Sequence, residues 1–349
     1  MKIIVLGCKD YPAFKHAKDV GGIETFCNDV LPRLNDIEFI VFTRRYKDAA
    51  KEETIGNVKV IRSPFLNLPM LQTFTFNFFS FFKARKIKAD MLWAHEPVAG
   101  FYAYWISKLA KIPYILHIHS RGSLEPANFN REFWMKVMER YAYKNAKQVI
   151  FVSSSISQSL HKPGIMIPVG IDAGKFESAS IDPDLSKING KKICYLGRLS
   201  SVKGINYLIE SFAKLNQNDL NLVIVGDGDQ KAKLINLVKK LNLENKVHFL
   251  GYKPSNTILP YIDVLALPSL SEGLPHSVLE AIACKKPVVA TSVGYLPNLL
   301  KNYLVKPKDV DELARVLESA LHNKKLEKLP KEFEIDNVVN LIRTNLHAP

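Results

Sequence analysis

The chain has 349 residues, 47% of them hydrophobic, and 48 Lys/Arg against 34 Asp/Glu give it a formal net charge of +14. That length exceeds what one hydrophobic core usually serves, so two domains of a soluble globular protein are expected. Four scattered cysteines, Cys8, Cys27, Cys194 and Cys284, lack Cys-x-x-Cys spacing, which argues against a zinc or disulfide framework and for a reducing cytoplasm.

The opening Met1-Lys-Ile-Ile-Val-Leu-Gly7 has one basic residue and a very short apolar run, so it reads as a first strand and not as a signal peptide. Further strands are predicted over residues 39–42, 58–61, 91–94, 114–119, 148–152 and 165–168. In the second half they fall at 193–196, 222–225, 247–249, 264–267, 288–290 and 303–305. Helical patterns alternate with them, which predicts an α/β protein of two doubly wound, parallel-sheet units. The expected domains are residues 1–170 and 171–333, with a final helical segment in 334–349. Ligand is expected at the carboxyl ends of the strands, in the cleft between the units.

Residues 70–82 carry six phenylalanines and run into Lys83, Arg85, Lys86 and Lys88. The run is too short to span a bilayer. It reads either as a core-facing helix with a basic end or as an interfacial helix on anionic lipid. The positive excess leans the same way, with 25 Lys/Arg against 16 Asp/Glu in residues 1–180 and 23 against 18 in the remainder. A generally basic surface would account for it equally. No zinc-finger, RRM or helix-turn-helix pattern accompanies the charge, so nucleic acid is not an expected partner.

The most informative stretch is Pro268-Ser-Leu-Ser-Glu-Gly-Leu-Pro-His-Ser-Val-Leu-Glu280. Pro275 suits the first turn of a helix, placing Glu272 in the loop before it and Glu280 about a turn and a half inside. A helix N-terminus suits a phosphate, whereas carboxylates beside it suit sugar or ribose hydroxyls. Phosphate flanked by polyols describes a nucleotide sugar; the alternative is two solvated acids near a helix start. Arg198 and Lys203 follow the strand at 193–196 across a turn, so both cations can reach one diphosphate. Asp227-Gly228-Asp229 has the spacing of a D-x-D metal site, but Asp after a strand and glycine reads as a turn device. Gly21-Gly22 opens a helix expected near Ile23 and lets backbone approach a ligand. Glu24 reads as a first-turn acid that favours the helix dipole. His119 ends a buried strand, where a neutral imidazole can bond a sugar hydroxyl. His117 reads as a core histidine or as a second residue of that cleft, and His276 as a contact to sugar or phosphate.

Glu272 and Glu280 resemble the E-x7-E signature of retaining GT-B glycosyltransferases of family 4. Tyr195-Leu-Gly-Arg-Leu-Ser-Ser-Val-Lys-Gly204 is similar to that family's Gly-Arg…Lys-Gly loop, and Val223-Ile-Val-Gly-Asp-Gly228 to its next strand and turn. Val247-His-Phe-Leu-Gly251 resembles the strand beside the base, and Pro168-Val-Gly-Ile-Asp172 the interdomain crossover. Gly21-Gly-Ile-Glu-Thr25 and Pro113-Tyr-Ile-Leu-His-Ile-His119 resemble the glycine loop and the strand with a functional histidine. With Gly7-Cys-Lys-Asp-Tyr-Pro-Ala13 they are similar to bacterial and archaeal members that build surface polysaccharides or glycolipids.

The resemblance implies two Rossmann-like domains facing across a cleft, acceptor side first and donor side second, with the last helix crossing back to the first. It implies a hexosyltransferase with Glu272 on the donor sugar, Glu280 on the ribose, Arg198 and Lys203 on the diphosphate, and His119 on the sugar. Gly21, Gly22, Gly197, Gly226, Asp227, Phe249, Gly273 and Leu274 would line the donor. Retention would proceed by front-face attack, with no metal and no cofactor beyond the nucleotide-sugar co-substrate. The expected acceptor is lipid-linked or saccharide, and the expected location is the cytoplasm, peripheral on the inner face of the membrane. The alternatives are a non-catalytic sugar-nucleotide-binding partner, or a nucleotide-sugar epimerase or hydrolase on the same fold.

Overall fold

A sheet covered on both faces has no solvent side, so its strands read as continuous apolar runs such as Ile3-Ile-Val-Leu6, all buried. The computed structural model describes residues 1–12, 21–68, 71–119, 129–215 and 219–347. Ala13 of the first glycine-containing segment and Met70 at the head of the phenylalanine run lie outside them. The chain divides into two units, Met1–Gly170 with Ile335–Pro349, and Ile171–Glu334.

The first unit contains β1 (Lys2–Leu6), β2 (Glu38–Arg44), β3 (Glu52–Ile55), β4 (Val58–Ser63), β5 (Met91–His95), β6 (Tyr114–Ile118), β7 (Gln148–Phe151) and β8 (Ile165–Met166). They form one sheet in the order β3-β4-β2-β1-β5-β6-β7-β8. Every pair is parallel except β3 with β4, an antiparallel edge hairpin that the apolar pattern does not announce. Helices α1 (Gly22–Val30), α2 (Leu71–Ala84), α3 (Glu96–Ala110), α4 (Phe129–Tyr143) and α5 (Ser154–Leu160) connect the strands.

The second unit contains β9 (Lys191–Leu196), β10 (Leu220–Val225), β11 (Val247–Gly251), β12 (Val264–Leu267), β13 (Val288–Thr291) and β14 (Leu304–Val305). Its helices are α6 (Gly174–Glu177), α7 (Ile205–Phe212), α8 (Lys231–Lys240), α9 (His276–Ala283), α10 (Leu296–Leu299) and α11 (Val310–Asn323). The sheet is wholly parallel, in the order β11-β10-β9-β12-β13-β14. The direction of winding reverses between β9 and β12, and such a switch point opens a crevice at the carboxyl ends of the strands. In the first sheet the reversal lies between β1 and β5.

The last helix, α12 (Ile335–His347), belongs to the first unit. Its Val338, Val339, Ile342 and Leu346 join Ile3, Val5 and Trp93 in one buried cluster, which also takes in Phe26 and Cys27 of α1. α3 lies on the other face: its Gly100 meets Leu116, whose neighbour Ile115 points into the α1–α12 cluster. Gly170 packs against Ile335, so the chain leaves and re-enters this unit at adjacent points.

Candidate active site

In the second unit, the loops after β9 and β12 flank the switch point. Lys203 Nζ donates to Glu272 Oε1 at 2.6 Å across it, and Ser269 Oγ donates to the same oxygen at 2.6 Å. Arg198 is exposed, and its guanidinium forms no ion pair among the described residues. Its backbone is fixed instead, because the buried Tyr195 hydroxyl donates to the Arg198 carbonyl at 2.8 Å.

Gly197 lies against Gly226 of the next loop. The Gly226 φ of +136° and a hypothetical Cβ only 1.9 Å from the Gly197 carbonyl oxygen leave no other residue for that position. Asp227 closes its own turn, Oδ1 accepting from Gly228 N–H at 2.8 Å and Oδ2 meeting Lys231 Nζ at 3.1 Å.

Helix α9 begins at His276, one residue later than the sequence suggests, with the extended Pro275 as its N-cap. Glu272 therefore remains in the loop and Glu280 sits just over one turn inside, where Ser255 Oγ donates to its Oε1 at 2.8 Å. Gly273 accepts from Tyr295 N–H at 3.2 Å, and Leu274, His276 and Phe249 are partly buried. Ser255 and Ser269 were not singled out from sequence, since serine in a loop carries no distinguishing signal.

In the first unit, register places His95 of β5 directly beside His117 of β6. His119 follows one residue beyond the end of β6 and is partly buried, so it does not lie within the strand itself. His95 Nδ1 and His119 Nε2 are 2.9 Å apart, and Cys27 Sγ lies 3.8 Å from His95 Nε2. His95 thus has a partner at each ring nitrogen and orients His119.

The backbone of His119 donates to Glu96 Oε1 at 3.0 Å, and Glu96 itself holds φ +71°, a conformation costly for a residue with a side chain. Gly7 permits this corner: at φ +97°, a Cβ there would stand 2.4 Å from the His95 carbonyl oxygen. Phe26 packs edge-on to His117 and His119, and Trp93 stacks on His117.

The three imidazoles offer ring nitrogens all within 4.8 Å of one another. Both nitrogens of buried His117 lack a partner among the described residues, and burial pushes its pKa well below the usual histidine range. His95 was not singled out from sequence; its signal is the end of a strand adjacent to the one bearing His117.

Helix α1 starts at Gly22, with Gly21 as its cap. Buried Glu24 accepts from Gly21 N–H at 2.9 Å and from Lys9 N–H at 2.8 Å, tying the glycine turn to the loop after β1. Its work is therefore to hold backbone as well as to favour the helix dipole.

The family model Glycosyl transferases group 1 matches residues 179–334, and Glycosyltransferase Family 4 matches residues 20–175. An uncharacterized glycosyltransferase of Methanocaldococcus jannaschii is 30% identical over 336 residues, 84% of either chain. The chain belongs to the glycosyltransferases. Among its relatives is the UDP-Gal:alpha-D-GlcNAc-diphosphoundecaprenol alpha-1,3-galactosyltransferase of Escherichia coli, 27% identical over 285 residues and 74% of each chain. HepE of Anabaena, solved in complex with UDP-glucose, matches this glycosyltransferase with a TM-score of 0.78, 22% identity and 99% coverage of both chains. The two parallel-sheet α/β units are those of the GT-B fold.

Proposed function

We propose that this glycosyltransferase is a retaining hexosyltransferase that moves a sugar from a nucleotide diphosphate to a lipid-linked or glycan acceptor in surface-glycan synthesis. The observation that carries the reading is the Lys203–Glu272 contact across the β9/β12 switch point, with Arg198 on the same loop. A diphosphate leaving group needs fixed positive charge, and Lys203 and Arg198 supply it. Glu272 accepts from hydroxyls of the donor sugar, and Glu280, held by Ser255, from those of the ribose. In the first unit, His119 bonds a sugar hydroxyl, with its ring set by His95.

No metal takes part in this scheme. Both oxygens of Asp227 already serve its own turn and Lys231. A ligating histidine normally has a partner on its second ring nitrogen, which His117 lacks among the described residues.

The UDP-glucose of the HepE structure and the diphosphoundecaprenol acceptor of the galactosyltransferase support a nucleotide sugar and a lipid carrier. Among the described residues no helix is long and apolar enough to cross a membrane. The enzyme then meets a lipid carrier peripherally, at the inner face of the membrane. A panel of labelled UDP-, GDP-, ADP- and dTDP-sugars with lipid and saccharide acceptors tests the reading, with the anomeric configuration of the product read by NMR. Transfer with retained configuration is expected; inversion, or donor isomerisation without transfer, overturns it.

A further inference from the structure

Helix α2 is turned inside out relative to an ordinary surface helix. Its buried residues are Phe76, Asn77, Ser80 and Ala84, whereas Phe78, Phe79 and Phe82 are 46%, 39% and 42% exposed. A soluble helix normally buries its large apolar side chains and shows polar ones to water. Of the inward polar groups, Asn77 Nδ2 donates to the Thr73 carbonyl and Ser80 Oγ meets Ser63 Oγ at 2.9 Å, while Asn77 Oδ1 has no partner among the described residues. Phe78, Phe79 and Phe82 stand outside the buried side of the helix.

They also do not stand alone. Ring contacts run from Phe78 to Phe82 (5.0 Å), Phe82 to Phe81 (5.2 Å) and Phe81 across to Tyr102 of α3 (6.3 Å). From there they continue through Phe101 to Trp105, and from Trp105 to Tyr141 of α4 at 6.0 Å. The path thus joins three consecutive helices of one unit. Along it Trp105 is 41% exposed, and α4 adds Trp134 at 60%.

The rim is cationic. Lys83, Arg85, Lys86 and Lys88 are exposed and form no ion pair among the described residues, and Arg85 lies over the Phe82 ring at 5.3 Å. The sequence has no Asp or Glu between Glu53 and Asp90, nor between Glu96 and Glu125.

From this we infer that the outer face of α2, α3 and α4 is a docking surface for an anionic lipid bilayer, with aromatic rings seated at the headgroup level and the cations against lipid phosphates. The inference deepens the reading of a lipid-linked acceptor and rests on it for its purpose, though not for its evidence. A bilayer fits better than a protein groove, because the apolar rings lie across three helices, beside cations with no ion pair among the described residues, rather than in a pocket.

The test is cosedimentation of the full chain with phosphatidylcholine vesicles, alone or mixed with phosphatidylglycerol, at low and at molar salt. Binding to the mixed vesicles, released by salt, is expected. It should weaken at least about tenfold when Lys83, Arg85, Lys86 and Lys88 become Gln, and comparably for Phe78→Ser with Phe82→Ser and Trp105→Ser. These side chains are exposed, so both variants should melt like the parent and keep its shift with nucleotide sugars. Equal binding to neutral and anionic vesicles, or none to either, overturns the inference. So does a parent dimer that the serine variant turns into a monomer, because the face would then be a contact between copies. Loss of nucleotide-sugar binding in the parent itself would sink the proposed reaction and leave the vesicle result standing.

Discussion

Lys203 and Glu272 are 69 residues apart in sequence and 2.6 Å apart in space, with side chains 24% and 7% exposed. The cation assigned to the leaving diphosphate and the acid assigned to the sugar are therefore one interacting unit before any ligand arrives. In the proposed reaction, donor binding shares Lys203 between the carboxylate and the phosphate.

Replacing Lys203 by Met should accordingly do two things. Turnover should fall about 100- to 1000-fold through the lost transition-state charge. Unfolding free energy should also fall by about 1–3 kcal/mol, because nearly buried Glu272 loses a charged partner. Adding Glu272→Gln should restore much of the stability and none of the turnover, a non-additivity that chemical denaturation and initial rates on all four proteins would reveal. Full turnover in Lys203→Met would remove this residue from the mechanism.

The two acids separate on a simpler ligand. Free nucleoside diphosphate has a ribose but no transferred sugar, so Glu280→Gln should weaken its binding by about tenfold, while Glu272→Gln should not weaken it, since the change only frees Lys203 for the phosphates. The intact nucleotide sugar should be weakened by both. Calorimetry that gave the opposite order would exchange the two roles.

Activity should survive EDTA, and Asp227→Ala should keep most of its turnover, since that side chain serves a turn and Lys231. Chelation that abolished transfer, with recovery on adding Mn²⁺, would instead direct attention to Asp227 or to the three histidines of the first unit.

His117 predicts an acid-sensitive fold. In the unfolded chain it takes a proton near its ordinary pKa of about 6.5, whereas burial holds the folded imidazole neutral to well below that. Between those two values the unfolded state binds more protons, so stability falls as pH falls through the window and is unaffected above it. Denaturation at pH values of about 7.5 and 5.5 should show a smaller loss for His117→Leu than for the parent. Equal losses would mean that His117 is protonated in the folded protein.

The strands were legible because a doubly covered sheet demands uninterrupted apolar runs, and Val264-Leu-Ala-Leu267 or Met91-Leu-Trp-Ala94 admit little else. Strand β3 was not, because Glu52-Glu-Thr-Ile55 is a mostly exposed edge strand whose pattern is polar; the Gly56-Asn57 turn was its only signature. The loops bearing Arg198, Lys203 and Glu272 could be found from residue type and position relative to a strand. That Lys203 touches Glu272, that Ser255 holds Glu280, and that His95 turns His119 depend on strand order and register. One sequence does not reveal which strands become neighbours. The phenylalanine run left two readings open, and the core-facing one does not describe the helix: only Phe76 of the six phenylalanines is fully buried, and the helix fills its inner face largely with Asn77, Ser80 and Ala84.

Val338, Val339, Ile342 and Leu346 of α12 complete the core that Ile3 and Val5 begin. During synthesis, then, the first 170 residues emerge early with one wall of their interior missing, while residues 171–334 have every strand of their own sheet as soon as they clear the ribosome. The unit made first is finished last. A nascent chain halted before residue 335 would carry a settled second unit and a first one whose buried cluster still lacks Val338, Val339, Ile342 and Leu346. An unfinished core of that kind leaves apolar surface open, which is what chaperones bind.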